Sequence, residues 1–261
     1  MRKVLEGLGS GFMQFIRYAG GLSVLMGQTL FWIPIPPLRR KQITEQMSKI
    51  GVDSLPIVAL ISFFTGMVLA LQSAYQMKRF SAEMYIASLV CISMTRELGP
   101  VLTALIVAGR VGASITAELG TMKVTEQIDA LETLATNPVK YLVVPRFMAL
   151  MIMLPLLTVF ADMIGILGGY IIGVYKLGIS HGLYMKNTWD PLKYKDLFTG
   201  LIKSYFFAII ICIVACYEGM TAEGGAEGVG RATTSSVVTS FILIIASDCF
   251  FTALFYFVMN Q

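Results

Sequence analysis

Five ionisable residues stand inside runs that are otherwise apolar: Arg96, Glu97, Asp162, Lys203 and Asp248. At the centre of a lipid-facing helix each would cost roughly 2.5–3.5 kcal/mol on insertion scales. Each must therefore face protein, water or a bound molecule. Two chemistries fit: the charges line a polar cavity along a transport path, or they pair with one another as buried ion pairs. The two are not exclusive. Arg96 and Glu97 are neighbours in sequence, so on a helix they point in different directions and need partners on different elements. Gly99-Pro100 follows directly. Proline within a span leaves a backbone carbonyl without its donor and can kink the helix, as a gate or simply as a bend.

A second group of residues suits docking rather than transport. Val124, Ile128, Leu131 and Ala135 recur as one helical stripe, with Glu126, Gln127, Asp129 and Glu132 as its acidic counterpart. Asn137-Pro138 stops the pattern. A short amphipathic helix between two spans is a natural seat for a soluble partner. An interfacial helix resting on headgroups is the other reading, but anionic lipid favours Lys and Arg over an acidic face.

Other chemistries lack their parts. His181 is the only histidine, placed in a polar loop where solvation suffices, so neither a catalytic triad nor a zinc site can be assembled around it. Cys91, Cys212, Cys216 and Cys249 lie in apolar runs without metal spacing. Cys212 and Cys216, one turn apart, read as adjacent thiols that are lipid-facing or packed. Gly225 to Gly230 has the glycine spacing of a phosphate-binding loop. Arg231 and Ala232 stand where that loop needs Lys and then Ser or Thr, and no buried strand precedes it. If transport is ATP-driven, the ATPase is a separate subunit.

The elements that must position these residues follow from hydropathy. The chain has 261 residues, 56% hydrophobic and 14% charged, against about 45–50% and about 25% for soluble domains. The net charge of +4 is spread along the chain, which excludes a nucleic-acid stripe. A bilayer core of about 30 Å needs about 20 apolar residues in helix. That filter predicts five spans, near Leu55–Met77, Met84–Ala108, Val143–Tyr175, Leu197–Tyr217 and Thr233–Val258. Before them, Phe12, Phe15, Ile16, Ala19, Leu22, Met26, Leu30 and Ile33 recur at helical spacing, interrupted by Gln14, Arg17, Ser23 and Gln28. This predicts an amphipathic helix on the membrane surface, ended by Pro34, Pro36 and Pro37, with a sixth span as the rival reading. Residues 1–54 thus form an interfacial region and 55–261 a transmembrane domain carrying the segment 109–146. No small-residue cleavage site follows the basic start, so the N-terminus is expected to be retained.

Arg2, Lys3, Arg17, Arg39, Arg40, Lys41 and Lys49 precede the first span, which places the N-terminus in the cytoplasm, 109–146 inside and the C-terminus outside. Lys176, Lys186, Lys193 and Lys195 then fall outside, against the rule. In this frame Arg96, Glu97, Asp162 and Asp248 lie near mid-membrane and Lys203 toward the outer side. Gly165, Gly169 and Gly173, like Ala104, Ala108 and Gly112, repeat every four residues and allow helices to approach closely, within one subunit or at a dimer seam.

Arg96-Glu97-Leu98-Gly99-Pro100 resembles a hallmark of the MlaE permease family, from the system that maintains outer-membrane lipid asymmetry. Ala108-Gly109-Arg110-Val111-Gly112-Ala113, Thr116-Ala117-Glu118-Leu119-Gly120 and Glu126-Gln127-Ile128-Asp129-Ala130-Leu131 extend the resemblance. So do Pro145-Arg146, Gly230-Arg231-Ala232-Thr233-Thr234 and Asp248, in an ordered series from about Lys41 onward. The resemblance implies an all-α, ABCG-like exporter-type permease that works as a homodimer in the bacterial inner membrane. It implies a cytoplasmic ABC ATPase that uses ATP and Mg, a small STAS-domain protein, and a periplasmic MCE-domain protein that passes lipid through a central channel. The cargo would be phospholipid moved between inner and outer membranes, with no cofactor held by this chain. Glu118–Leu134 would couple to the ATPase, through Glu118, Lys123, Glu126, Asp129 and Glu132. Glu97 and Lys203 would line or border the lipid pocket; Arg96, Asp162 and Asp248 are candidates for the same cavity from their place in the spans rather than from the resemblance. On the residues alone, an ion-coupled carrier using Glu97, Asp162 and Asp248 and a non-transporting scaffold are the alternatives.

Overall fold

A computed structural model describes residues 2–36, 39–80 and 82–259. Among them every regular element is a helix, as a bilayer demands of a backbone that finds no water to bond. The helices are α1 (Arg2–Trp32), α2 (Arg40–Ile50), α3 (Leu55–Met77), α4 (Ile86–Ser93), α5 (Gly99–Val107), α6 (Ala113–Val124), α7 (Gln127–Thr133), α8 (Val144–Ile171), α9 (His181–Trp189), α10 (Tyr194–Met220) and α11 (Gly225–Met259). Five continuous helical stretches are long and apolar enough to cross a membrane: Arg40–Met77, Glu83–Val124, Val139–Lys176, Tyr194–Met220 and Gly225–Phe257. Each contains one expected span. Most outrun it on the charged side, because the backbone ladder continues past the point where the side chains become polar.

Most prolines sit where a helix tolerates them, whereas Pro155 stands inside α8. Pro56 and Pro145 occupy first turns. Pro100 does not break its stretch. Met94–Leu98 forms a π-helical turn just before it, and the helix resumes at Gly99. A second π-helical turn, Ala108–Gly112, precedes α6.

α1 packs through part of its expected stripe, Ala19, Leu22, Met26 and Ile33 being half-buried, but the seam is centred beside it. Leu25 and Thr29 are buried, with Leu22 and Tyr18 half-buried one and two turns before Leu25, whereas Ile16 and Leu30 are exposed on the opposite face. The tyrosine decides the phase. The Tyr18 hydroxyl donates to Glu218 Oε1 at 2.8 Å, and its ring packs edge-on against Tyr217. Burial, and then the Glu218 carboxylate, hold the Tyr18 phenol well above its ordinary value. α1 thus braces the far end of α10 and is not one of the five crossing stretches. Pro37 lies outside the described residues.

Two packing seams hold the spans. α3 and α8 meet backbone to backbone, with Gly66 against the Gly165 carbonyl and Gly168 against the Phe63 carbonyl. α6, α10 and α11 meet at a buried hydroxyl. Thr116 Oγ1 lies 3.0 Å from the Gly112 carbonyl, 3.1 Å from the Ala215 carbonyl and 2.9 Å from Ser236 Oγ.

The segment expected as a polar loop holding His181 contains α9, which Ser180 caps by accepting from the Leu183 N–H. His181 lies at its first residue, with Nδ1 2.7 Å from the Tyr170 hydroxyl. Tyr184, fully buried, sets one edge of its ring against Gly173 and its hydroxyl beside Gly169. The glycine repeat therefore packs within this chain: Gly165 on Met94 and α3, Gly169 on Val90 and Tyr184, Gly173 on the Tyr184 ring.

Candidate functional site

Lys203 projects from α10 with its side chain only 1% exposed. A buried ammonium needs acceptors for its three hydrogens. Four oxygens surround it: Glu97 Oε2 at 2.5 Å, Asp248 Oδ1 at 2.8 Å, Thr252 Oγ1 at 2.8 Å and the Arg96 carbonyl at 3.2 Å. Asp248 and Thr252 lie one turn apart on α11 and so share a face. The Thr252 hydroxyl donates in turn to the Glu97 carboxylate, at 3.1 and 3.2 Å from its two oxygens.

The Arg96 carbonyl has a local cause. In a regular helix it would accept from the N–H four residues on, and that residue is Pro100, which has none. The proline frees the carbonyl, and Lys203 takes it. Gly99-Pro100 thus leaves the Arg96 carbonyl free as an acceptor for Lys203.

The expected offset in depth between Glu97 and Lys203 is absent, since the two are in direct contact. The Lys203 ammonium is saturated and has no hydrogen left for a headgroup. Exposure belongs to its partners, 39% for the Glu97 side chain and 22% for Asp248. Arg96, pointing elsewhere, lies 3.5 Å from Asp196 Oδ1 and keeps 38% of its side chain exposed. Asp196 also accepts from the Lys193 N–H at the start of α10. The site is a cross-brace of three spans with a partly open acidic rim and one accessible guanidinium.

Asp162 is not part of it. Its carboxylate sits against the Cα of Gly99, buried on α8, and Oδ1 has no hydrogen-bond partner among the described residues. Gly99 and Glu97 are two residues apart and so face nearly opposite ways on their helix. Thr252 and Asp196, which complete the network, carried no signal in the sequence: one is a neutral hydroxyl, the other a loop-edge acid among lysines.

At the other end of the spans the expected amphipathic helix is broken. α6 ends at Val124, Glu126 takes a left-handed backbone (φ 59°), and α7 runs only from Gln127 to Thr133. Ile128 is buried and Leu131 half-buried, but Ala135 lies beyond the helix, exposed and itself left-handed. Glu126, Asp129 and Glu132 are exposed. Lys123 is tied to Asp129 at 2.8 Å. Glu118 stands apart on α6, paired at 3.0 Å with Arg146, whose side chain is buried. Arg110 holds the junction before α3 through the Ser54 hydroxyl at 2.8 Å and the Lys49 carbonyl at 3.3 Å, a role that sequence reading missed.

The chain matches the family model described as Permease MlaE over residues 43–254. A probable ABC transporter permease protein of Rickettsia conorii is 49% identical, over 97% of this chain and 98% of its own length. A probable ABC transporter permease protein of Synechocystis is 41% identical, over 87% of this chain and 86% of its own. The intermembrane phospholipid transport system permease protein MlaE of Haemophilus influenzae is 36% identical, over 97% of each chain. With five crossing helices and matches that run nearly end to end, the chain belongs to the MlaE family of ABC transporter permeases, as a multi-pass protein of the inner membrane.

Proposed function

We propose that this permease moves phospholipid between the inner and outer membranes, driven by ATP hydrolysed in a separate subunit, and so maintains outer-membrane lipid asymmetry. The observation that carries the reading is the end-to-end similarity to the Haemophilus permease of intermembrane phospholipid transport. The site suits such a cargo. A phospholipid needs an apolar surface with a few convergent polar groups. The open sides of Glu97 and Asp248 offer those groups, while Ile245, Phe250 and Leu254 of α11 expose apolar surface on the helix that carries Asp248.

A second copy of the chain closes the cavity in this account. α11 is the least covered of the five crossing stretches, with Val238, Ile242 and Ile245 outward, which supports a homodimer built beside it. The N-terminus is cytoplasmic and the C-terminus periplasmic, on the distribution of Lys and Arg before the first span. The acidic face of Glu126, Asp129 and Glu132 then meets the ATPase, which holds the ATP and Mg. An MCE-domain protein takes lipid on the periplasmic side, and a STAS-domain protein accompanies the ATPase. Glu118, already neutralised by Arg146, contributes through the position of α6 rather than through its own charge.

Glu126→Lys places a cation against the basic patch expected on the ATPase. Glu126 is exposed and the variant should insert normally. Co-purification of the ATPase from membranes should fall at least severalfold. Unchanged co-purification together with unchanged lipid transport would overturn the docking assignment.

A further inference from the structure

Between the end of α1 and the start of α8 lies a cavity of about 300 Å³. Trp32, Ile35 and Ile43 wall one side, and Thr136, Asn137, Tyr141, Val144 and Pro145 the other. Two cations enter it, Arg39 and Lys140, and no carboxylate lines it. The Arg39 guanidinium lies 4.2 Å from the centre of the Tyr141 ring. The Lys140 ammonium lies 5.2 Å from the centre of the Trp32 ring and donates to the Pro36 carbonyl at 3.0 Å. Among the described residues neither cation has a carboxylate within ion-pair distance. This contrasts with Arg96, Arg110, Lys123, Arg146 and Lys203, each of which has one.

Two uncompensated cations held over aromatic faces, above an apolar floor, form a receptor for a phosphate that carries hydrocarbon. The surface beside it supports that choice, since Leu30 and Phe31, adjacent to Trp32, are exposed and would lie along acyl chains. Tryptophan and tyrosine gather at the depth of lipid headgroups, and basic pockets between helices on the cytoplasmic side take anionic headgroups. A soluble phosphate would use the cations and leave the aromatic and aliphatic surface uncovered.

We propose that this cavity binds the headgroup of an anionic phospholipid of the adjacent leaflet, and that the bound lipid staples α1 to the segment leading from α7 into α8. The site is separate from the Lys203 network and does not depend on lipid being the cargo. The orientation given above serves only to name the leaflet as cytoplasmic.

The test uses the full chain, purified and delipidated, with lipid binding read by native mass spectrometry and thermal stabilisation. The probes are phosphatidylglycerol, phosphatidylcholine and inorganic phosphate. Phosphatidylglycerol should bind and stabilise more than phosphatidylcholine, and phosphate should do neither. R39Q/K140Q should weaken phosphatidylglycerol roughly tenfold and leave phosphatidylcholine unchanged, while R39K/K140R keeps the preference. Glu97→Gln should also keep it, which separates this site from any cargo site. If R39Q/K140Q is unstable, Thr136→Asp, which adds an anion to the cavity, should abolish the preference. An equal response to both lipids, stabilisation by phosphate alone, or a preference that survives R39Q/K140Q or Thr136→Asp would overturn the proposal. Loss of the preference in Glu97→Gln would assign the bound lipid to the cargo site instead.

Discussion

Lys203→Met is expected to cut the yield of monodisperse permease sharply and to lower its melting temperature more than any other single change in the charged network. The variant removes the buried cation on which Glu97, Asp248 and Thr252 converge, and leaves two carboxylates side by side on a partly open rim. Removing one partner of a fully buried ion pair costs about 3–5 kcal/mol; with the carboxylates partly open to solvent the cost falls toward the low end, still a large share of a typical stability of about 5–15 kcal/mol. The Arg96 carbonyl loses its donor as well, because Pro100 cannot supply one. The same physics predicts rescue. In Lys203→Met/Glu97→Gln/Asp248→Asn no charge remains to be matched, and replacing a whole buried ionic group by neutral residues is often close to neutral. Recovery of the melting temperature in the triple variant identifies Lys203 as a structural cation. A Lys203→Met single variant as stable as the parent would show that the ammonium is not bound as described.

Gly66→Ala should be the most damaging alanine substitution along α3. A Cβ there meets the Gly165 carbonyl, and because both groups are backbone neither can rotate away. Overpacking costs about 1–3 kcal/mol in cores that can adjust, and this seam has little room to adjust. Gly230→Ala provides the control. Nothing lies within 4 Å of a Cβ at that helical position, so the higher helix propensity of alanine should leave stability unchanged or slightly raised. Melting curves of the two variants decide it. Equal stability would mean that α3 and α8 are not in backbone contact at Gly66.

The spans were legible because about 20 apolar residues in a row have few other fates. The ionisable residues within them were legible as costs, and for Glu97, Lys203 and Asp248 the cost led to the right group. It could not assign partners, because helical phase gives the face of a residue but not the helix opposite. Asp162 shows the limit: the same cost, at a similar depth, on a face that meets Gly99 instead of the network. The offset expected between Glu97 and Lys203 failed because depth was counted along each span separately, while α10 starts level with the middle of its neighbour, as the Arg96–Asp196 contact shows. The stripe from Val124 to Ala135 had sound periodicity, yet a left-handed Glu126 divides it, a backbone state that side-chain pattern does not report. α9 is nine residues long and weakly patterned, so it read as loop. Gly66, isolated in its span, carried no repeat, whereas its counterpart Gly165 stood in one.

ATP-dependent movement of labelled phospholipid tests the central claim most directly. The permease, with the ATPase that co-purifies with it and an MCE-domain acceptor, is reconstituted into vesicles containing fluorescent phospholipid. Transfer of the label is then followed with ATP, without ATP, and under an imposed ion gradient alone. The account predicts transfer only with ATP, reduced severalfold in Glu97→Gln although that variant still assembles, because Asp248 keeps Lys203 paired. Transfer driven by the ion gradient without ATP, or no lipid movement in an assembled complex that hydrolyses ATP, would contradict it.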